Sequence, residues 1–484
     1  MAASFFFYDL ETSGIDSRSA RIMQFAGQRT DMSLKPIGEP VNHLIALAPD
    51  VLPDPDAILL TGITPQQTLS EGSSEAEFMK LFYEEVVKPD TIFVGFNSIR
   101  FDDEFMRFLH YRNFYDAYEW QWRDGCSRWD LLDVVRMTRA LRPDGIKWPY
   151  APDGKPANRL GLLSSINKLD HQNAHDALSD VQATIALARL IQEKQPDLFD
   201  FLLKARNKKA VGALVNAGQP FVYTSGRYSS DYLHTTVVTK LTDHPQNDAA
   251  LVYDLRVDPT PYISMSVDEL VESWRFTRDP EAVRLPVKTL KYNRCPAVAP
   301  LGVIKDTATQ ERLNLSLTTV KKHLALLKQH QARLAKNVLA ALERLDQERE
   351  ASQTGLVMDP LSVDERLYDG FIGDQDKNLM RTVRAADPSE LSAFGPDFKD
   401  ARLQNLLPLY KARNYPKTLT PEERVSWDSF CHLKLFSGGD SSRAAMFFNR
   451  LQELAAASPD QRQEYLLEEL RLYGESILPG DVTG

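Results

Sequence analysis

Five side chains in three separated stretches have the chemistry of phosphoryl transfer: Asp9 with Glu11, Asp102, and His175 with Asp180. Asp9 and Glu11 close the run Ser4-Phe-Phe-Phe-Tyr-Asp-Leu-Glu11, whose aromatics suit a buried strand. Residues two apart on a strand share a face, so the two carboxylates stand side by side at the end of an apolar strand. Such a pair is costly to bury unless a cation neutralises it. Oxygen-only ligands suit a hard ion such as Mg²⁺ or Mn²⁺. The second stretch, Asn97-Ser-Ile-Arg-Phe-Asp102, lies where strand gives way to helix, and the third, His175-x4-Asp180, opens a helix. Each is weak alone, because strand-end acids can face solvent and helix-start acids commonly serve as caps. Together they offer four carboxylates for two cations and an imidazole to take a proton from an attacking water. Two-metal phosphodiester hydrolysis needs that set.

Positioning these residues calls for an α/β domain over residues 1 to about 190. Strands are expected at Ala3–Gly14, Arg21–Arg29, Val41–Ala46 and Thr91–Phe96. Thr64 reads as an N-cap with Pro65 at the first helical position, and a second helix runs from Ala76 to Val87. An alanine-rich helix over Asn173–Ile191 closes the domain, and the pattern breaks at Gln195-Pro196. Short apolar runs then alternate with turns at Phe221–Tyr223, Thr235–Thr239, Ala250–Leu255 and Val287–Leu290, which suits a small β-rich module. A long helix over Leu315–Glu348, apolar at three-four spacing, packs on that module. Beyond about 354 the chain reads as helices joined by proline-containing loops. The expected domains are 1–192, 196–351 and 354–478.

A chain of 484 residues exceeds one ordinary core, and 43% hydrophobic with 26% charged residues is a globular composition. No run of about 18 uncharged apolar residues occurs, so no membrane partner is expected. The first strand begins without a signal-peptide pattern. Cys126, Cys295 and Cys431 lack zinc-site spacing, and a reduced, cytoplasmic setting fits them. The net charge of −10 does not exclude nucleic acid, whose affinity depends on a local basic track.

The set resembles the histidine-containing branch of the DEDD exonuclease superfamily, and within it the bacterial exonuclease I family of single-strand-specific 3′→5′ deoxyribonucleases. The resemblance rests on Leu59-Leu-Thr-Gly-Ile-Thr-Pro-Gln66, Val94-Gly-Phe-Asn-Ser-Ile-Arg-Phe-Asp-Asp-Glu104, Ser127-Arg-Trp-Asp-Leu-Leu-Asp-Val134 and Ala140-Leu-Arg-Pro-Asp-Gly-Ile-Lys-Trp-Pro149. It continues through Asn293-Arg-Cys-Pro296, Leu367-Tyr-Asp-Gly-Phe371 and Tyr410-Lys-Ala-Arg-Asn-Tyr-Pro416, and so covers essentially the whole chain. It implies an α/β RNase H-like exonuclease domain, a β-rich SH3-like domain and an all-helical C-terminal domain. It also implies that Asp9, Glu11, Asp102 and Asp180 bind two Mg²⁺, with Mn²⁺ able to substitute, and that His175 is the general base. Asp103 is the rival to Asp102, which is preferred because it follows Phe101 as the family's motif does. His171 is the rival to His175, and Asp176 is taken for an exposed helix-start acid.

The resemblance further implies that Glu11 touches the terminal sugar, that Arg159 lies near the scissile end, and that Arg107, Tyr118, Trp122, Arg136 and Lys208 contact the single strand. Enclosure of the strand by the later domains would give processivity, and trimming 354–484 would then reduce processivity more than single-turnover cleavage. A partner is implied too: the acidic C-terminal tail of single-stranded-DNA-binding protein, with Arg142 in the docking site. Phe201 stands where the family can carry tyrosine. A monomer is expected. The rival substrate is RNA, as in shorter superfamily members, and the non-catalytic rival is a degenerate single-strand-binding module.

Overall fold

The computed structural model describes residues 3–169, 176–246, 248–275, 279, 282–353 and 360–477. His171 and His175 lie outside the described residues. The chain forms two compact units, each described over those residues: Met1–Ser127 with His171–Ile185 and Val357–Gly484, and Arg128–Asp170 with Ala186–Leu356.

The first unit is built on strands β1 (Ser4–Thr12), β2 (Ile22–Thr30), β3 (Val41–Leu44) and β4 (Thr91–Gly95). Their order in the sheet is β3-β2-β1-β4, and β5 (Ser127–Asp130) follows where the chain leaves the unit. β1 runs antiparallel to β2 and parallel to β4, so the strand bearing Asp9 and Glu11 is central. Alternation along β1 turns Phe6, Tyr8 and Leu10 into a core with Phe25, Phe78, Phe82, Phe93 and Trp120. Trp120 is 1% exposed and belongs to that core. Phe105, Met106 and Leu109 bring the helix Asp102–Arg112 into the same cluster. Thr64 caps the helix Pro65–Glu71 through its side chain, as its sequence foretells.

The C-terminal helices Asp374–Ala385, Ala401–Asn414, Pro421–Phe436, Arg443–Ala456 and Gln461–Ser476 are part of this first unit. Two apolar seams join them to the sheet's helices: Phe108, Tyr111 and Phe114 pack with Leu403, Leu406 and Tyr410, and Ile58 and Ile63 with Phe447, Leu451 and Leu470. A buried ion cluster also crosses here. Arg413 bonds both Asp50 (2.7 Å) and Asp364 (2.8 Å), Lys434 bonds Asp50 (2.5 Å), and Arg21 bonds Asp364 (2.7 Å).

The second unit holds an antiparallel sheet in the order β10-β6-β7-β8-β9: β6 (Phe221–Thr224), β7 (Thr235–Asp243), β8 (Ala249–Asp254), β9 (Val287–Lys291) and β10 (Ala297–Pro300). The long helix Leu317–Gln353 lies on it, with His323 hydrogen-bonded to the Leu255 carbonyl and Gln331 to that of Leu241 (both 2.9 Å). The β-rich reading of this region passed over the helices Pro196–Ala205 and Lys208–Val215. β5 and the helix Leu131–Leu141 likewise escaped the sequence reading. Among the described residues, no helix is long and apolar enough to cross a membrane.

Candidate active site

Asp9 and Glu11 project from one face of β1, opposite Ala26 and Gln24 of β2 in register. The pairing is irregular between Glu11 and Thr12, so the strand ends immediately beyond the second acid. Asp180 arrives on the first turn of the helix Ala177–Lys194. That helix start is tied to the sheet: Asp176 accepts from the Ser179 amide (3.2 Å) and hydroxyl (3.1 Å), and Gln24 donates to Asp176 (3.4 Å). Asp176 is therefore a half-buried cap rather than the exposed acid expected from the sequence. Carboxylate oxygens of Asp9, Glu11 and Asp180 all lie within 4.8 Å of one another.

Asp102 is buried at the start of its helix, and its charge bears on both Asp9 and Glu11. Burial, then Asp102, Asp180 and Glu11, hold the Asp9 carboxyl well above its ordinary range. Burial, then Asp180 and Asp102, push Glu11 up to about 8. Carboxyls so placed resist ionising together, and a divalent cation reverses that preference. An all-carboxylate donor set fits Mg²⁺ or Mn²⁺. Asp103 points elsewhere: its carboxylate accepts a 2.5 Å hydrogen bond from the Tyr8 hydroxyl. Neither Gln24 nor Tyr8 was singled out by the sequence, although the i/i+2 pattern that found Asp9 and Glu11 also puts Tyr8 on the opposite face.

In the first unit, Tyr118 is 37% and Trp122 64% exposed. Arg107 is 4% exposed; it pairs with Glu104 (2.6 Å) and its guanidinium lies 5.2 Å from the centre of the Tyr118 ring. In the second unit, Arg136 pairs with Asp133 (2.7 Å), Lys208 is exposed and pairs with Asp248 (2.7 Å), and Arg159 is exposed at the start of the helix Leu160–Asn167. Arg142 donates to the carbonyls of Leu141 (2.6 Å) and Val303 (3.3 Å).

Three family models match in order: Exonuclease over residues 6–188, Exonuclease I SH3-like domain over 206–344, and Exonuclease I C-terminal domain over 361–477. The exodeoxyribonuclease I of Haemophilus influenzae is 38% identical over 485 residues, covering 98% of this chain and 99% of the relative. A solved exonuclease I from Methylocaldum szegediense is 42% identical with a TM-score of 0.90, covering 99% of this chain and 100% of that one. E. coli exonuclease I in complex with a dA16 oligonucleotide is 35% identical with a TM-score of 0.90, covering 98% and 100%. Matched along nearly its whole length by such relatives, this chain belongs to the exonuclease I family, with a mixed α/β exonuclease domain, an antiparallel SH3-like domain and a helical C-terminal domain.

Proposed function

We propose that this exonuclease I family member, an exodeoxyribonuclease acting on single-stranded DNA, removes 5′-mononucleotides processively from the 3′ end. The observation that carries the reading is the convergence of Asp9, Glu11 and Asp180 within 4.8 Å, where burial and neighbouring carboxylates raise the Asp9 and Glu11 carboxyls above their ordinary range, a cost that a cation would relieve. Asp9, Glu11, Asp102 and Asp180 would hold two Mg²⁺, or Mn²⁺ in their place. Bound cations supply neutralisation of the scissile phosphate, a lowered pKa for the attacking water and stabilisation of the leaving 3′-oxygen. His175, one residue before the Asp176 cap, takes the proton of that water as general base, a role worth roughly 10²- to 10⁴-fold. Glu11, at the end of β1, also meets the terminal sugar hydroxyl.

Tyr118 and Trp122 offer faces on which bases stack, and Arg107 supports Tyr118 from beneath. Arg136, Arg159 and Lys208 meet phosphates, Lys208 by exchanging Asp248 for the strand. Domain limits of 1–192, 196–351 and 354–478 are supported by the three matched segments. A similar solved structure is described as SSB/exonuclease I in complex with an inhibitor. On that basis Arg142 is assigned to docking the acidic tail of single-stranded-DNA-binding protein. The chain acts as a cytoplasmic monomer, in keeping with bacterial relatives.

The test is digestion of unblocked, 3′-blocked and 5′-blocked DNA oligomers with Mg²⁺ or EDTA, beside an RNA oligomer and Asp9→Ala. Mononucleotide release that needs Mg²⁺, a free 3′ end and Asp9 is expected, with DNA preferred. DNA that is bound but never shortened would sink the reading. Mg²⁺ binding should also displace protons from the site. Its affinity is therefore expected to tighten with pH up to about 8, by about tenfold per pH unit for each proton released. Calorimetric titration at pH 6, 7 and 8 measures this, and a flat profile would count against protonated carboxyls in the free site.

A further inference from the structure

We propose that Tyr8 and Asp103 are positioning residues, a tie behind the sheet that holds Asp102 against Asp9 for metal binding. This rests on the two-cation reading of the site. Tyr8 is the chain neighbour of Asp9, and Asp103 of Asp102. The Tyr8 hydroxyl donates to the Asp103 carboxylate at 2.5 Å, in the range of strong charge-assisted hydrogen bonds, and both side chains are buried. Side chains alternate across a strand, so Tyr8 leaves β1 on the face opposite Asp9. Consecutive helix residues diverge by about 100°, so the first turn of the helix Asp102–Arg112 can send Asp103 to Tyr8 while Asp102 bears on Asp9. The two adjacent acids straddle the end of β1, one anchored and one facing the site.

That anchor fixes the spacing of the two acids. Asp102 is the carboxylate that bears most on Asp9, so where the helix starts decides how closely the two meet. The N-cap position of this helix is Phe101, whose side chain offers no oxygen to cap it. The Tyr8 ring is itself fixed, stacked on Phe25 (6.1 Å) and edge-on to Phe93 (6.5 Å) and Trp120 (6.3 Å). A hydroxyl on a ring so wedged is a stationary donor, and its partner carboxylate sets where the helix begins.

The test uses the full chain with Tyr8→Phe, which removes one oxygen and leaves the core volume filled. Residues supporting metal ligands typically contribute 10- to 100-fold to affinity. Mn²⁺ affinity, read by electron paramagnetic resonance without DNA, is therefore expected to fall about tenfold. The Mg²⁺ concentration for half-maximal digestion should rise in step, with KM for the oligomer changed less than about twofold. Asp103→Asn and the double variant complete a cycle, and the double variant should lose no more than the worse single one. Unchanged Mn²⁺ affinity in Tyr8→Phe, with or without a lower melting temperature, overturns the proposal, as do additive losses. A wild-type chain that neither binds Mn²⁺ nor digests DNA would instead overturn the two-cation reading itself.

Discussion

Asp9→Asn is expected to reduce Mg²⁺-dependent shortening of single-stranded DNA by at least about 10³-fold, while making the metal-free protein more stable at neutral pH. The two effects share one cause. Asp9 stands among Asp102, Asp180 and Glu11 in a buried site, where its negative charge is useful only to a cation. Without metal, folding carries a carboxyl that is ionised in the unfolded chain into a buried site that disfavours its charge. A group whose folded pKa is raised contributes stability below its unfolded pKa of about 4, and that contribution is lost as pH rises through the folded value. Asparagine keeps the shape and escapes that penalty. In EDTA the variant should melt higher than the parent by at least ~3 °C at pH 8, and no higher at pH 4. Mg²⁺ should raise the melting temperature of the parent more than that of the variant. Thermal melts at both pH values, with and without Mg²⁺, measure all of this. A variant less stable than the parent in EDTA at pH 8 would show that the carboxylate is satisfied by the protein alone.

Asp9 and Glu11 were legible because strand periodicity is local: two residues apart on an aromatic run is enough to put two acids on one face. The cap at Thr64 and the break before Pro196 were legible for the same reason, each being a matter of neighbouring residues. Asp176 misled because an acid at a helix start gives no sign of the Gln24 side chain that covers it from β2. The helices Pro196–Ala205 and Lys208–Val215 were hidden by a β-rich neighbourhood, and the segment with His175 lies outside the described residues. Tyr8 and Asp103 are 95 positions apart, and nothing local announces their bond. The buried ion cluster reaches much further, since Lys434 and Asp50 are separated by 384 positions.

That cluster carries the second large effect: Asp50→Ala should destabilise the first unit by about 3–5 kcal/mol without touching the site. Asp50 is fully buried, and with Asp364 it faces three cations, Arg21, Arg413 and Lys434. Removing it leaves Asp364 to face Arg413 and Lys434, with Glu75 lying 3.9 Å from Arg21, so the penalty is that of cations left in a low dielectric with less counter-charge. Burial and the neighbouring Arg112 already bring Arg21 down to about 10, which shows how little surplus positive charge the region tolerates. Arg413 and Lys434 hold the Asp50 carboxyl below its ordinary range against the effect of burial. Its contribution is therefore present above pH 4 and lost only as pH falls through the lowered value, so the difference between variant and parent should be constant from pH 5 to 8. A lower melting temperature by roughly 6–15 °C is expected, with new protease cuts inside 360–477. Trimming 354–484 is no substitute for this variant. It would strip Asp50 and Arg21 of Asp364, Arg413 and Lys434 and open the seams beside Phe108 and Ile58, so the remaining sheet could not keep its fold. Asp50→Ala weakens the attachment while leaving every helix in the chain. At a temperature where it is folded, single-turnover cleavage should stay within about threefold of the parent, while the number of nucleotides removed per binding event falls by more. Equal losses in both would mean that the C-terminal helices serve the chemistry as much as the grip on the strand.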